Sequence, residues 1–184
     1  MTISMRKRKN EELDRLTVSE FKGVNKFPMV IVLDNVRSLN NIGSIFRTAD
    51  AFLVEKLMLC GITATPPHKD IHKTALGATD AVTWQYYTST EEAIDELRNN
   101  HYTIYAIEQA EGSYWLESFK LPENGKTALV FGNEVRGVQQ KIVDRVDGCI
   151  EINQFGTKHS LNISVCAGIV IWEVFKKMNI KKGK

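Results

Sequence analysis

A chain of 184 residues, 43% apolar and 25% charged with 12 glycines and 4 prolines, has the composition of one globular domain able to bury about 70% of its surface, which excludes disordered, collagenous and coiled-coil classes. The apolar run at residues 167–172, even with the two apolar residues before it, falls well short of the ~18 residues a membrane span needs. The start is basic and polar, without an apolar leader, so a cytoplasmic protein with no membrane partner is expected. The net charge of +2 conceals an asymmetry: residues 6–9 hold four cations and residues 176–184 five, with no acid in either. Subtracting these nine from 24 leaves 15 basic against 22 acidic residues, a net −7 for the body of the chain. Basic ends of this kind are solvated extensions, or grips for phosphates through counterion release.

In chain order, Leu13, Leu16 and Phe21 lie near helical spacing and predict a short helix over residues 11–22, with Gly23 at its C′ position. β-rich apolar runs follow at residues 29–33, 56–60, 82–87, 102–107, 128–131 and 149–152. Helical patterns lie between or after them at residues 42–53, 91–99 behind a Ser89/Glu92 capping box, 138–146 and 161–177. Alternating strands and helices, with strands apolar on both faces, predict an α/β fold: a parallel sheet with helices on both faces. Residues 1–27 are read as a basic extension with a short helix, 28–178 as the domain and 179–184 as a basic tail. The last helix is apolar nearly all round, which in so small a chain predicts a homodimer interface.

Cys60, Cys149 and Cys166 each sit in apolar runs with no CxxC spacing, as small buried hydrophobes would under reducing conditions. His68, His72, His101 and His159 are not grouped with acids or thiols at ligand spacing, although His68 and His72 form an i, i+4 pair in a Pro-containing loop. No metal is expected.

Ligands of parallel sheets gather at the carboxyl ends of the strands, here the loops after Leu33, Ile107, Phe131 and Ile152. After the first strand, Ile42, Ile45, Phe46, Ala49 and Leu53 form one apolar helix face, which turns Arg47 and Thr48 outward. Asn40 or Asn41 can cap that helix, and Gly43 lets something approach its first turn. Arg47 is a surface cation paired to Asp50 or a functional group. The run Phe131-Gly132-Asn133-Glu134-Val135-Arg136-Gly137 is a strand, glycine loop and helix start. It lacks GxGxxG and a Walker lysine, so nucleotide phosphates are poorly matched. In the last loop, Ser160 and Asn162 are good helix caps and His159 an ordinary loop histidine.

Three segments together resemble the motifs of the SpoU (TrmH-like) RNA ribose 2′-O-methyltransferases of the SPOUT superfamily: Asn41-x-Gly43-x-x-x-Arg47-Thr48-Ala49, Phe131-Gly132-Asn133-Glu134-x-x-Gly137, and Gly156-x-x-x-Ser160-Leu161-Asn162-Ile163-Ser164. Asn153 stands where the family commonly has proline. The resemblance implies a C-terminal trefoil knot, which strand and helix patterns do not show and which unknotted-topology rules would exclude. It also implies a homodimer and a bent S-adenosylmethionine held by Ile107, Glu108, Gly132, Asn133, Ile152, Ser160 and Leu161. The catalytic set it implies is Arg47, with Asn41, Glu134, Ser160 and Asn162 arranging it and the substrate.

Methyl transfer from a sulfonium requires alignment of oxygen, carbon and sulfur, exclusion of water, and help for the hydroxyl in losing its proton. An arginine guanidinium is protonated at working pH, so steadying a developing alkoxide or clamping a phosphate suits it better than accepting a proton. RNA is the implied partner, with tRNA favoured over rRNA and a D-loop guanosine as the target. Two rival readings are a non-catalytic RNA-binding protein that keeps the fold and a nicotinamide-dependent oxidoreductase. The second lacks the glycine fingerprint and the acidic ribose residue.

Overall fold

The computed structural model describes residues 5–182, with side chains through residue 179. Seven strands form one sheet: β1 (Phe27–Asp34), β2 (Val54–Cys60), β3 (Trp84–Tyr87), β4 (Thr103–Ile107), β5 (Tyr114–Trp115), β6 (Thr127–Phe131) and β7 (Gly148–Glu151). Their order is β3-β2-β1-β6-β4-β7-β5, and every pairing is parallel. Register places Leu33 beside Phe131, Phe131 beside Ile107, and Ile107 beside Ile150. Four consecutive strands of the sheet therefore end at one level, and the loops after them share one rim.

Helices cover both faces, as parallel strands without a solvated side require. On one face, Met29, Ile31 and Leu33 of β1 pack in the cluster that holds Ile42, Ile45, Phe46 and Ala49 of α2 (Leu39–Ala51) and Ala167, Val170, Ile171 and Val174 of α7 (Ile163–Lys182). On the other, Val30 and Val32 meet Ala93, Ile94 and Leu97 of α5 (Thr90–Asn99) and Ile142 of α6 (Gln140–Val143). Burying each large apolar side chain contributes about 1.5–3 kcal/mol. Two short helices, α3 (Lys69–Ala75) and α4 (Ala78–Ala81), complete the first layer. No described helix is long and apolar enough to cross a membrane.

Several boundaries differ from the sequence expectation for identifiable reasons. The expected helix over 11–22 divides into a 3-10 turn, Asn10–Glu12, and α1 (Val18–Gly23), because Asp14 takes a left-handed φ of 41° and Thr17 starts a new helix. Thr17 and Glu20 form a reciprocal capping box, Glu20 Oε2 accepting from the Thr17 N–H at 2.8 Å and Thr17 Oγ1 from the Glu20 N–H at 3.2 Å. Gly23 is therefore the last helical residue, not a left-handed C′ glycine. Ser38, not Asn40 or Asn41, caps α2 by accepting from the Asn41 N–H at 3.3 Å. The group that approaches Gly43 is α3: a Cβ there would lie 2.1 Å from Thr74 Oγ1 and 2.3 Å from the Ile71 carbonyl oxygen.

At the other end of the chain, α7 continues to Lys182, so the expected tail begins inside a helix; Gly183 and Lys184 lie outside the described residues. Lys176 and Lys177 pair with Glu173 at 2.6 and 3.3 Å, and Lys177 Nζ also donates to the Leu116, Glu117 and Phe119 carbonyls. Those two cations belong to a packed helix and are not free to act as a tail.

Candidate active site

β1 ends on Asp34, a wholly buried carboxylate. It accepts four hydrogen bonds: Asn35 Nδ2 at 2.8 Å, Thr90 Oγ1 at 2.6 Å, and the backbone N–H and Nε2 of Gln139 at 3.1 and 2.8 Å. Four donors replace the lost hydration of the charge. The segment after β6 is thereby tied to the end of β1. Glu134 makes the opposite tie, accepting the N–H groups of Arg37 and Ser38 at 3.0 and 2.9 Å and Asn41 Nδ2 at 3.1 Å. Burial pushes its carboxyl up, but these donors outweigh it and hold the pKa below the usual carboxylate value. Asn41 Oδ1 in turn accepts from Asn162 Nδ2 at 3.2 Å, while Asn162 Oδ1 caps α7 by accepting the Ser164 N–H at 2.9 Å. A polar chain Glu134–Asn41–Asn162 thus joins all three motifs.

The loop after β6 is a tight turn. Asn133 and Gly137 exchange backbone hydrogen bonds at 3.0 and 2.8 Å, and Asn133 Oδ1 accepts from the Val135 and Arg136 N–H groups at 2.9 and 3.2 Å. Gly137 has a φ of 66°, and a Cβ there would stand 2.1 Å from Glu108 Oε2. A Cβ on Gly132 would stand 2.1 Å from the Gly137 carbonyl carbon. Only glycine fits either place. Glu108 accepts from the Val138 N–H at 2.9 Å and the Gln109 N–H at 3.0 Å. With the Val138 and Gln139 N–H groups held by Glu108 and Asp34, α6 starts only at Gln140 and ends at Val143, shorter than the helix expected over 138–146.

Between the loops after β4, β6 and β7 lies an open cavity of about 1,000 Å³. Its walls include every residue expected to hold a donor: Ile107, Glu108, Gly132, Asn133, Ile152, Ser160 and Leu161. Glu134 and Asn162 also line it. Its charged lining is Glu108, Glu111, Glu134 and Glu151 against Arg136, with His159 at one side. So acidic a hollow repels a polyphosphate and suits a cation. Cys166 lines it too, half-buried where full burial was expected, and burial pushes its thiol up to about 11.

Arg47 and Asn41 are not on the cavity wall of this chain. Arg47 is exposed on α2, and its side chain makes neither the ion pair to Asp50 nor a hydrogen bond to any described residue. Ser160 is exposed on the wall. The loop carrying it is pinned twice: Asn153 Nδ2 donates to Glu117 Oε1 at 2.6 Å, and Gln109 Nε2 to the His159 carbonyl at 3.0 Å. The tie from Asn153 restrains the turn in place of the proline common in the family.

Sequence reasoning missed Asp34, Gln139 and Gln109. An acid closing the apolar strand Met29–Leu33 was the available signal for Asp34; its partner Gln139 is 105 residues away and carried none. The His68/His72 pair is a local feature, with His68 Nδ1 accepting from the Asp70 N–H at 3.2 Å to cap α3. Among the described residues, no group of three or more His, Cys, Asp or Glu side chains is placed to hold a metal ion.

The profile of the SpoU rRNA Methylase family matches residues 28–172. A putative TrmH family tRNA/rRNA methyltransferase of Staphylococcus saprophyticus is 28% identical over 162 residues, covering 88% of this chain and 64% of the relative. The chain thus spans less than two thirds of the length of the curated relatives it matches. Among solved structures, the TrmH/SpoU tRNA modifying enzyme of A. aeolicus superposes with a TM-score of 0.78 at 26% identity, covering 90% of this chain and 84% of that one. The AdoMet-bound rRNA methyltransferase of Sinorhizobium meliloti gives 0.77 at 25% identity, over 85% of this chain and 59% of that one.

Proposed function

The chain belongs to the SpoU rRNA methylase family, and from that premise we propose that it is an S-adenosylmethionine-dependent RNA methyltransferase that methylates a ribose 2′-hydroxyl. The observation that carries this reading is the acid-lined cavity onto which the second and third motifs open, with the first tied to them through Asn41. The solved S. meliloti relative, which has AdoMet bound, supports the same donor here.

The cavity fits that donor on its own chemistry. A sulfonium and an ammonium are cations, matched by Glu108, Glu111, Glu134 and Glu151, and Ile107, Phe131, Ile150, Ile152 and Leu161 offer apolar surface to an adenine. Gly132 and Gly137 keep the second motif's backbone close enough to meet the nucleoside edge. The donor supplies a methyl carbon already activated by its positive sulfur. What remains for the protein is alignment, exclusion of water and stabilisation of the ribose oxygen as it loses its proton. The chain Glu134–Asn41–Asn162 holds the first turn of α2 against the cavity loops, so that α2 presents Arg47 in a fixed direction.

Arg47 is unpaired and off the wall of its own cavity, so we assign it to the site of a second copy, in a homodimer. The exposed stripe Val165, Ile169 and Trp172 on α7 continues to the end of α2 through the Phe52–Trp172 ring contact at 5.6 Å, and offers the apolar surface such a dimer buries. The trefoil knot belongs to this family reading. The name of the A. aeolicus relative favours tRNA over rRNA, and the resemblance of the stretch 154–173 to tRNA guanosine methyltransferases acting on the D-loop favours a guanosine there.

The test is transfer of labelled methyl from S-adenosylmethionine to bulk tRNA and rRNA, followed by alkaline hydrolysis. Alkali-resistant labelled dinucleotides are expected, mainly from tRNA. Arg47→Lys should lose at least about 100-fold in turnover while retaining donor affinity. Label confined to bases would overturn the ribose assignment, and no label in either RNA would favour the non-catalytic reading.

A further inference from the structure

We propose that Phe155 is the stacking platform for an unpaired base at or next to the methylated nucleotide. The inference rests on the RNA reading above. Phe155 is 96% exposed, the most exposed aromatic side chain described. It stands on the 153–159 loop, whose ends are held by the Asn153–Glu117 and Gln109–His159 hydrogen bonds, so the ring is displayed from a tethered segment. Its neighbours in sequence, Gln154 on one side and His159 and Ser160 on the other, line the donor cavity.

A second observation is independent of the ring. Gly156 has no left-handed φ, and a Cβ there would meet no protein atom within 4 Å. Neither backbone conformation nor packing within this chain calls for glycine beside Phe155. The space over Gly156 is open to solvent and can admit a ligand beside the loop.

The chemistry specifies that occupant. The donor cavity is recessed between three loops, and a splayed nucleotide brings its ribose hydroxyl into it more deeply than one lying along the shallow groove of a duplex. A splayed base loses stacking with its neighbours, and an exposed aromatic ring replaces it without demanding a particular base. The interior of the cavity is acidic and the ring is neutral, so the base can be held at the rim while phosphates stay outside.

The test uses the full chain saturated with S-adenosylhomocysteine, which has no methyl to transfer, and end-labelled bulk tRNA as the probe, with binding read by anisotropy. Phe155→Ala should weaken tRNA binding by about tenfold. Phe155→Trp should restore it, and Gly156→Val should weaken it by obstructing the adjacent space. Donor affinity by calorimetry and oligomeric state by light scattering should stay at the wild-type values in all three. Unchanged tRNA affinity in Phe155→Ala would overturn the inference, as would a loss confined to donor affinity or to dimerisation. Because binding is read without turnover, failure of methyl transfer would overturn the activity while leaving the role of Phe155 to be decided by affinity.

Discussion

Glu134 shows how one side chain can tie two distant loops together. Its two oxygens face three donors, one in the first turn of α2 and two in the residues that lead into it. Glu134→Gln replaces one acceptor by an amide NH2 that faces N–H groups, so at least one charge-assisted bond is lost and a donor is freed. The site is open to water, which can meet the freed donor, so stability should fall by only about 0.5–1 kcal/mol in urea unfolding. The pH dependence has a definite sign. Because the folded carboxyl titrates below its unfolded value, its contribution is full above the ordinary glutamate pKa of about 4.3 and is lost as pH falls through the folded value. The urea midpoint of the wild type should therefore drop more steeply below about pH 4 than that of Glu134→Gln. Parallel curves for the two proteins would show that Glu134 does not act through its charge.

At the scale of elements, α7 has two unlike apolar faces. Its inner face, with Ala167, Val170, Ile171 and Val174, fills the core, while Val165, Ile169 and Trp172 remain on the surface. A chain this small gains nothing as a monomer from exposing a large indole beside an isoleucine. Ile169→Glu combined with Trp172→Glu should convert a dimer to a monomer in sedimentation and abolish methylation while leaving the melting of the isolated fold cooperative. A variant that stays dimeric would place the interface elsewhere. The apolar periodicity of α2 was legible in sequence because burial repeats every three to four residues, whereas α7 was legible only as a long apolar stretch without a marked face. The division of the leading helix was not, since it depends on a single left-handed residue, Asp14, and on the local box of Thr17 and Glu20. The brevity of α6 was not legible either, because distant carboxylates capture the Val138 and Gln139 N–H groups. β5, two residues long, is defined by its partner β7 and carries almost no pattern of its own.

At the scale of the molecule, the strand register gathers three motifs that are far apart in sequence onto one rim. The motifs marked which loops matter, and the parallel α/β pattern marked which end of the sheet they share. Neither could reveal that Asn41 and Glu134 are bonded to each other, or that Arg47 has no place in the cavity of its own chain. Those are facts of three-dimensional assembly. In the proposed dimer, a cavity in one protomer holds the methyl donor while Arg47 of the other meets the ribose. Co-expression of two differently tagged chains, one Arg47→Ala and the other Gly137→Val, allows the mixed dimer to be purified. Gly137→Val places a branched side chain against Glu108 at a left-handed position and should close the donor site. Each parent homodimer should be inactive. The mixed dimer, with one site built from two intact halves, should recover about half the wild-type methylation rate. A mixed dimer as inactive as its parents would contradict a shared site and return Arg47 to its own chain.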